Sequence, residues 1–293
     1  MKIALAQYPI TRFAGFAEWR AHVSDWVARA AGDGAKLLSF PEYGGMELTS
    51  LLPETLQQDL RGQIPALEKF REDFVATWAE LAKKHAVFIQ APSLPVSEAG
   101  KVCNRAYLFS PSGAAEFQDK RQMTRFEKEQ WGIGGGGDLK IFDIGETRIG
   151  IAICYDIEFP LIAHAMSAAG ADLILAPSCT DTMAGANRVH VGARARALEN
   201  QIYVVLAPTV GEAKWSPAVD VNNGWAAAYA TPDRGFPDDG IMAKGELNRP
   251  GWVMAELDFA KLKAARAEAQ VFTRQDWDAQ GLPALAVRKI AFR

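Results

Sequence analysis

Short apolar, β-rich runs alternate along this chain with amphipathic helical stretches, and no other feature constrains its fold as much. Lys2–Gln7 reads as a strand. Phe16–Ala31 reads as a helix, with Trp19, Val23, Trp26, Val27 and Ala30 recurring on one face. Lys36–Phe40 is a second apolar run, stopped by Pro41. Leu67–His85 is predicted helical, with Leu67, Phe74, Trp78 and Leu81 facing inward, and Val87–Gln90 is a short strand. Arg105–Ser110 and Ala114–Asp119 flank the turn signal Pro111-Ser112-Gly113, which predicts a hairpin. Strands follow at Lys140–Ile144, Arg148–Cys154, Ala171–Ala176, Gln201–Ala207 and Trp252–Leu257. Helices follow at Pro160–Ala169, Asn187–Asn200 and Phe259–Gln270. Alternation on both sides of a hairpin predicts an α/β layered fold. Val210–Pro250, rich in Gly, Pro, Asn and Asp, reads as a long ordered surface region. Residues 1–270 are expected to form one domain and 271–293 a C-terminal tail. The stretch after Gly281 is apolar without clear periodicity.

Composition excludes several classes of function. The 293 residues suffice for one large core or two fused layers. A net charge of −3 offers no basic field for nucleic acid and no polybasic run for an anionic membrane. No apolar stretch approaches the roughly 20 residues of a membrane span. The opening Met1–Gln7 carries too short an apolar run for a signal peptide. Cys103, Cys154 and Cys179 include no CxxC pair, as expected for free thiols in a reduced, cytoplasmic protein.

Gly132-Ile133-Gly134-Gly135-Gly136-Gly137 satisfies the spacing of a dinucleotide fingerprint but not its context. It follows a charged segment and opens a strand instead of a helix, so a flexible loop is expected there. The histidines at 22, 85, 164 and 190 are scattered without metal-ligand spacing, and each reads as a surface or core-satisfied side chain. Cys154 closes the apolar run Ile149–Ile153 and precedes a helix. Ligands gather at such strand ends in α/β sheets, and free backbone N–H groups there can hold an anion. Taken alone, the same thiol reads better as a buried structural cysteine. Glu42 repeats that placement after Lys36–Phe40, and Lys120 ends the second arm of the hairpin. In isolation these two read as a loop carboxylate and a solvated amine.

The ordered set of motifs resembles the nitrilase superfamily of carbon–nitrogen hydrolases, from Lys2 to about Asp258. Ile3–Gln7 is similar to that family's first strand. Leu38-Ser39-Phe40-Pro41-Glu42 resembles its Glu motif, and Asp119-Lys120 with Glu127 its Lys motif. Ile151–Pro160 resembles its Cys motif, and Gly170–Ser178 and Arg194–Asn200 resemble the segments after it. Two departures stand out. Gln122–Glu127 lacks the common Pro–Thr pair, and Glu158 stands where many amidase branches carry Arg. Pro177–Thr182 and Trp215–Asp220 are most similar to an uncharacterised bacterial branch. Some of its members are fused to an acetyltransferase-like domain, for which these 293 residues leave no room.

The resemblance implies a four-layer α-β-β-α sandwich of two mixed sheets flanked by helices, assembled as a homodimer or higher homo-oligomer. The helix with Leu161, Ile162 and Met166 would lie at the interface or in the core. It implies Cys154 as nucleophile, Glu42 as general base and acid, and Lys120 with the backbone N–H of Tyr155 as oxyanion donors. Glu127 would orient Lys120 or the substrate amide. No metal or organic cofactor is called for. The expected partner is a small-molecule substrate, a linear amide or N-carbamoyl compound. The alternatives are nitrile hydrolysis, N-acyl transfer to an amine, and a non-catalytic binding protein. Arg121, Arg125, Glu158, Asp181 and Trp215 are candidates to line the pocket.

Overall fold

The computed structural model describes residues 1–281; the expected apolar stretch after Gly281 lies outside the described residues. The strand Lys2–Pro9 organises the architecture. Its alternating side chains serve two cores, as a period of two requires. Ile3 and Leu5 point into a core shared by both sheets, while Ala4, Ala6 and Tyr8 face a layer of helices. This strand runs parallel to Leu37–Ser39 and antiparallel to Gly251–Glu256. Leu37–Ser39 pairs with Phe88–Gln90, which pairs with the long strand Lys101–Phe109. Leu94–Glu98 and Ala115–Asp119 flank that strand and finish the first sheet.

The second sheet runs through Ile141–Asp143, Arg148–Ile151, Leu173–Ser178, Tyr203–Glu212, Ala227–Tyr229 and Ile241–Lys244. The two sheets are joined where Tyr8 and Pro9 pair with Thr209 and Val210. Helices Phe16–Gly32 and Arg71–His85 cover the first sheet, through Trp19, Val23, Trp26, Phe74 and Trp78. Helices Pro160–Ala168 and Met183–Asn200 cover the second, through Ala163, Met166, Val189, Ala193 and Ala197. The result is the expected α-β-β-α sandwich. Leu173–Ser178 is buried along its whole length, as a strand between two apolar layers must be.

Three expectations change. The helix predicted over Leu67–His85 is broken: Gln63–Leu67 is a short helix, Glu68–Phe70 a single turn, and Arg71–His85 the long helix. The helix predicted from Asn187 begins at Met183, because Thr182 caps it by accepting from the Gly185 N–H at 3.1 Å. Residues 210–250 are not simply a surface region. Ala226–Ala230 is buried, and Ala227–Tyr229 pairs with Val204–Leu206 of the second sheet. A run of alanines carries too little hydrophobic contrast to show a period of two.

Candidate active site

Three chain segments reach one end of the sandwich. Cys154 follows the strand Arg148–Ile151 and opens a short turn, Cys154–Glu158, with φ of 47°. A left-handed backbone is uncommon for a side-chain-bearing residue and persists where its surroundings over-determine it. Here Asp156 supplies much of that restraint. Its carboxylate accepts from the N–H groups of Ile153 (3.3 Å), Arg121 (3.1 Å) and Gln122 (2.7 Å). It thus ties the Cys154 turn to the chain leaving Lys120. The helix Met183–Asn200 closes on the same turn at Gly192, where a Cβ would lie 3.0 Å from the Ile157 carbonyl oxygen.

Glu42 sits just past Leu37–Ser39 and Pro41, and its carbonyl accepts from Thr209 Oγ1 at 2.6 Å. Tyr43, next in the chain, has φ of 55° and is pinned by its N–H to Ser93 Oγ at 2.9 Å. Lys120 ends the hairpin arm Ala115–Asp119; its N–H donates to the Asn104 carbonyl at 2.9 Å, and its carbonyl accepts from the Gly136 N–H at 2.7 Å. The glycine-rich segment is therefore not the flexible loop expected. Gly134 and Gly136 donate to Val102 and Lys120, both at 2.7 Å, and a Cβ on Gly136 would fall 2.5 Å from that of Asp119. Its glycines allow close packing on the strand that delivers Lys120.

Glu42, Lys120, Glu127 and Cys154 all line one cavity of about 410 Å³. The Lys120 ammonium donates to Glu42 Oε1 at 2.7 Å and to both oxygens of Glu127 at 2.8 Å. Glu127 also accepts from the Tyr43 hydroxyl at 2.6 Å and from the N–H and hydroxyl of Thr124, both at 2.8 Å. Cys154 Sγ lies 3.7 Å from the Cys179 carbonyl oxygen. The Tyr155 N–H sits in the first turn after Cys154, where such donors lack intrahelical partners.

Burial and mutual charge divide these groups. Burial pushes the Glu42 carboxyl up to about 7 against the pull of Lys120, and the Glu127 charge adds to the rise. Burial acts on Glu127 as well, but Lys120 and the hydrogen bonds from Lys120, Tyr43 and Thr124 overcome it and hold its pKa below the usual range. Burial opposes the Lys120 charge, yet Glu42 and Glu127 raise it well above an ordinary lysine. Burial, then the neighbouring Glu42, raise the Cys154 thiol. At neutral pH the site thus holds a closed Lys120–Glu127 ion pair, a protonated thiol, and one carboxylate poised to exchange a proton.

Of the candidate pocket residues, Arg125 and Asp181 line the cavity, and Arg121, Glu158 and Trp215 do not. The Arg121 guanidinium donates to the Gly137 carbonyl at 2.7 Å. Glu158 pairs at 3.7 Å with Arg188, which lines the cavity in its place. Trp215 packs against the aromatic core of the first helix layer. Sequence reasoning missed Tyr43, Asn104, Asp156, Cys179 and Arg188. Tyr43 and Asp156 adjoin motif residues, which was the available signal; Asn104 carried none, because it lies just before the strand expected at Arg105–Ser110 and the observed strand begins at Lys101. Among the described residues, no group of three or more His, Cys, Asp or Glu side chains is arranged to hold a metal ion, and no helix is long and apolar enough to cross a membrane.

An α-β-β-α sandwich with a buried thiol, ammonium and carboxylates at one end defines the class. The carbon-nitrogen hydrolase family model matches residues 2–266, and the chain belongs to that family within the nitrilase superfamily. A probable hydrolase, YhcX of Bacillus subtilis (strain 168), is 33% identical over 94% of this chain and 53% of its own length. The chain thus spans about half of that relative, and 64% of nitrilase homolog 2 of Dictyostelium discoideum. The human omega-amidase NIT2 is 25% identical over 94% of this chain and 95% of its own. Among solved structures, Nit3 of Saccharomyces cerevisiae has a TM-score of 0.70 at 20% identity, covering 99% of this chain and 97% of its own. A mutant of the amidase from Nesterenkonia sp. AN1, with acrylamide added at its active site cysteine, has a TM-score of 0.66 at 22% identity, covering 94% and 99%.

Proposed function

We propose that the protein hydrolyses the C–N bond of a small linear amide or an N-carbamoyl compound through a thioester on Cys154. The observation that carries this reading is the Lys120 ammonium, bonded at once to Glu42 and Glu127 in the cavity that also holds Cys154. Burial, helped by the Glu127 charge, lifts Glu42 to about 7 against the pull of Lys120. In the first half-reaction the Cys154 sulfur attacks the substrate carbonyl carbon as its proton passes to Glu42. Lys120 and the Tyr155 N–H stabilise the oxyanion. Glu42 returns the proton to the leaving nitrogen, the C–N bond breaks, and a thioester remains. In the second half-reaction Glu42 takes a proton from water, hydroxide adds to the thioester carbonyl, and the acid departs as the thiol re-forms. Glu127 holds Lys120 in place throughout.

Relatives with amidase activity in their names support the amide reading, as does the Nesterenkonia amidase, whose active site cysteine is described as taking up acrylamide. The same reading makes residues 1–270 the hydrolase domain. It favours a reducing, cytoplasmic setting that keeps Cys154 a thiol, and a homodimer or higher homo-oligomer using the face that exposes Leu161 and Leu198. The purified protein should release ammonia from members of a panel of linear amides or ureido acids, with product mass giving the bond cleaved. Turnover of nitriles alone, or only of amides in the presence of an acceptor amine, would replace this reading with nitrile hydrolysis or acyl transfer.

A further inference from the structure

The two oxygens of Glu42 are not equivalent. Oε1 accepts from Lys120 Nζ at 2.7 Å and from Asn104 Nδ2 at 2.9 Å. Among the described residues both of these hydrogen bonds fall on Oε1, and no nitrogen or hydroxyl donor makes one to Oε2. Asn104 is completely buried in the strand Lys101–Phe109, and its carbonyl accepts the Lys120 N–H at 2.9 Å. One residue therefore fixes the backbone of the lysine and the carboxylate of the glutamate. Its amide orientation is set by its partner, because the reverse orientation would press two oxygens together.

Resting on the thioester reading, we infer that Asn104 is a positioning residue that occupies Oε1 of Glu42 together with Lys120 and commits Oε2 to the proton transfers. On this assignment the Cys154 S–H bond breaks and an Oε2–H bond forms as sulfur attacks. The same proton then leaves Oε2 for the departing nitrogen. A proton on Oε1 would need two N–H donors to give up their acceptor, so that route is closed. Asn104 acts through Glu42 and does not itself line the cavity.

The inference has a pH signature. The titratable groups facing Glu42 are Lys120 from the hairpin, the hydrogen-bonded pair Glu127 and Tyr43, and Cys154 and Cys179. The amide of Asn104 adds a neutral donor that favours the ionised form of Glu42. Removing it should raise the pH at which Glu42 ionises, by about one unit for a hydrogen bond to a charged group.

The test is the rate of Cys154 alkylation by iodoacetamide as a function of pH, followed by peptide mass, which requires no knowledge of the substrate. The wild-type rate should step upward near 7, and Glu42→Gln should abolish the step. Asn104→Ala should move the step up by about one unit. Asn104→Asp, which keeps the shape but places a second acidic group beside Glu42, should move it further. It carries the test if Asn104→Ala does not fold. A step unmoved in a folded Asn104→Ala or Asn104→Asp variant overturns the assignment of Asn104. A step that survives in Glu42→Gln overturns the thioester reading's proton acceptor instead.

Discussion

The two helix layers of the sandwich are built from different materials. The layer over the first sheet is aromatic. Trp19 and Phe74 stack at 5.6 Å, Phe40 meets Trp78 edge-on at 4.7 Å, and Trp26 and Trp252 lie 5.2 Å apart. The layer over the second sheet is built from small residues: Ala163, Ala186, Gly192, Ala193 and Ala197, with Gly150 beneath Met166. Large rings fill volume and supply burial, but they hold backbones apart. Alanine and glycine do the opposite. They let the helix Met183–Asn200 press directly on the turn that carries Cys154. The first layer therefore serves mainly stability, and the second mainly the placement of the thiol.

The largest expected effect falls in the aromatic layer. Trp78 is fully buried, so Trp78→Ala should cost about 3–5 kcal/mol in denaturant unfolding. Turnover per folded molecule should be nearly unchanged. A comparable loss of turnover in the folded fraction would erase the distinction between the layers.

In the small-residue layer the expectation reverses. Gly192→Val adds a branched side chain where even a Cβ would lie 3.0 Å from the Ile157 oxygen. Shifting the Cys154 turn by a fraction of an ångström should lower turnover by up to about 10²-fold. Thermal melting and steady-state kinetics on the same preparation separate the two effects. Full activity in this variant would show that the turn tolerates a looser helix.

The smallest effect is a pH dependence. On the proposed mechanism Glu42 accepts the thiol proton only when ionised, so kcat/KM should fall about tenfold per unit as pH drops below about 7. The fall should steepen below about 6, where burial has raised Asp156 enough for it to take a proton and release its three N–H donors. Asp156→Asn should remove that second break and leave the first. A single unbroken limb in the wild type would argue against a separate role for Asp156.

The sequence made the layers legible because Trp19, Val23, Trp26, Val27 and Ala30 repeat at helical spacing, and each proves buried. It made Glu42, Lys120 and Cys154 visible because each stands in a motif at a strand end, and Glu127 because it follows Lys120 in the same motif. It left Asn104 and Asp156 unread, since their roles depend on partners 62 residues away in one case and 34 and 35 in the other. No local pattern marks a hydrogen bond across such distances. The glycine-rich segment misled for a related reason. Its spacing invites a loop, and only the approach of Asp119 and Lys120 explains why glycine is needed there.

The proposed mechanism requires a covalent bond to Cys154. Once an amide substrate is in hand, rapid acid quench of the wild-type enzyme and peptide mapping by mass should find the acyl mass on the Cys154 peptide. The acyl mass should be absent from the peptides holding Cys103 and Cys179. Cys154→Ala should form no adduct and turn over no substrate. An acyl group on another residue, or steady hydrolysis by Cys154→Ala, would contradict the account.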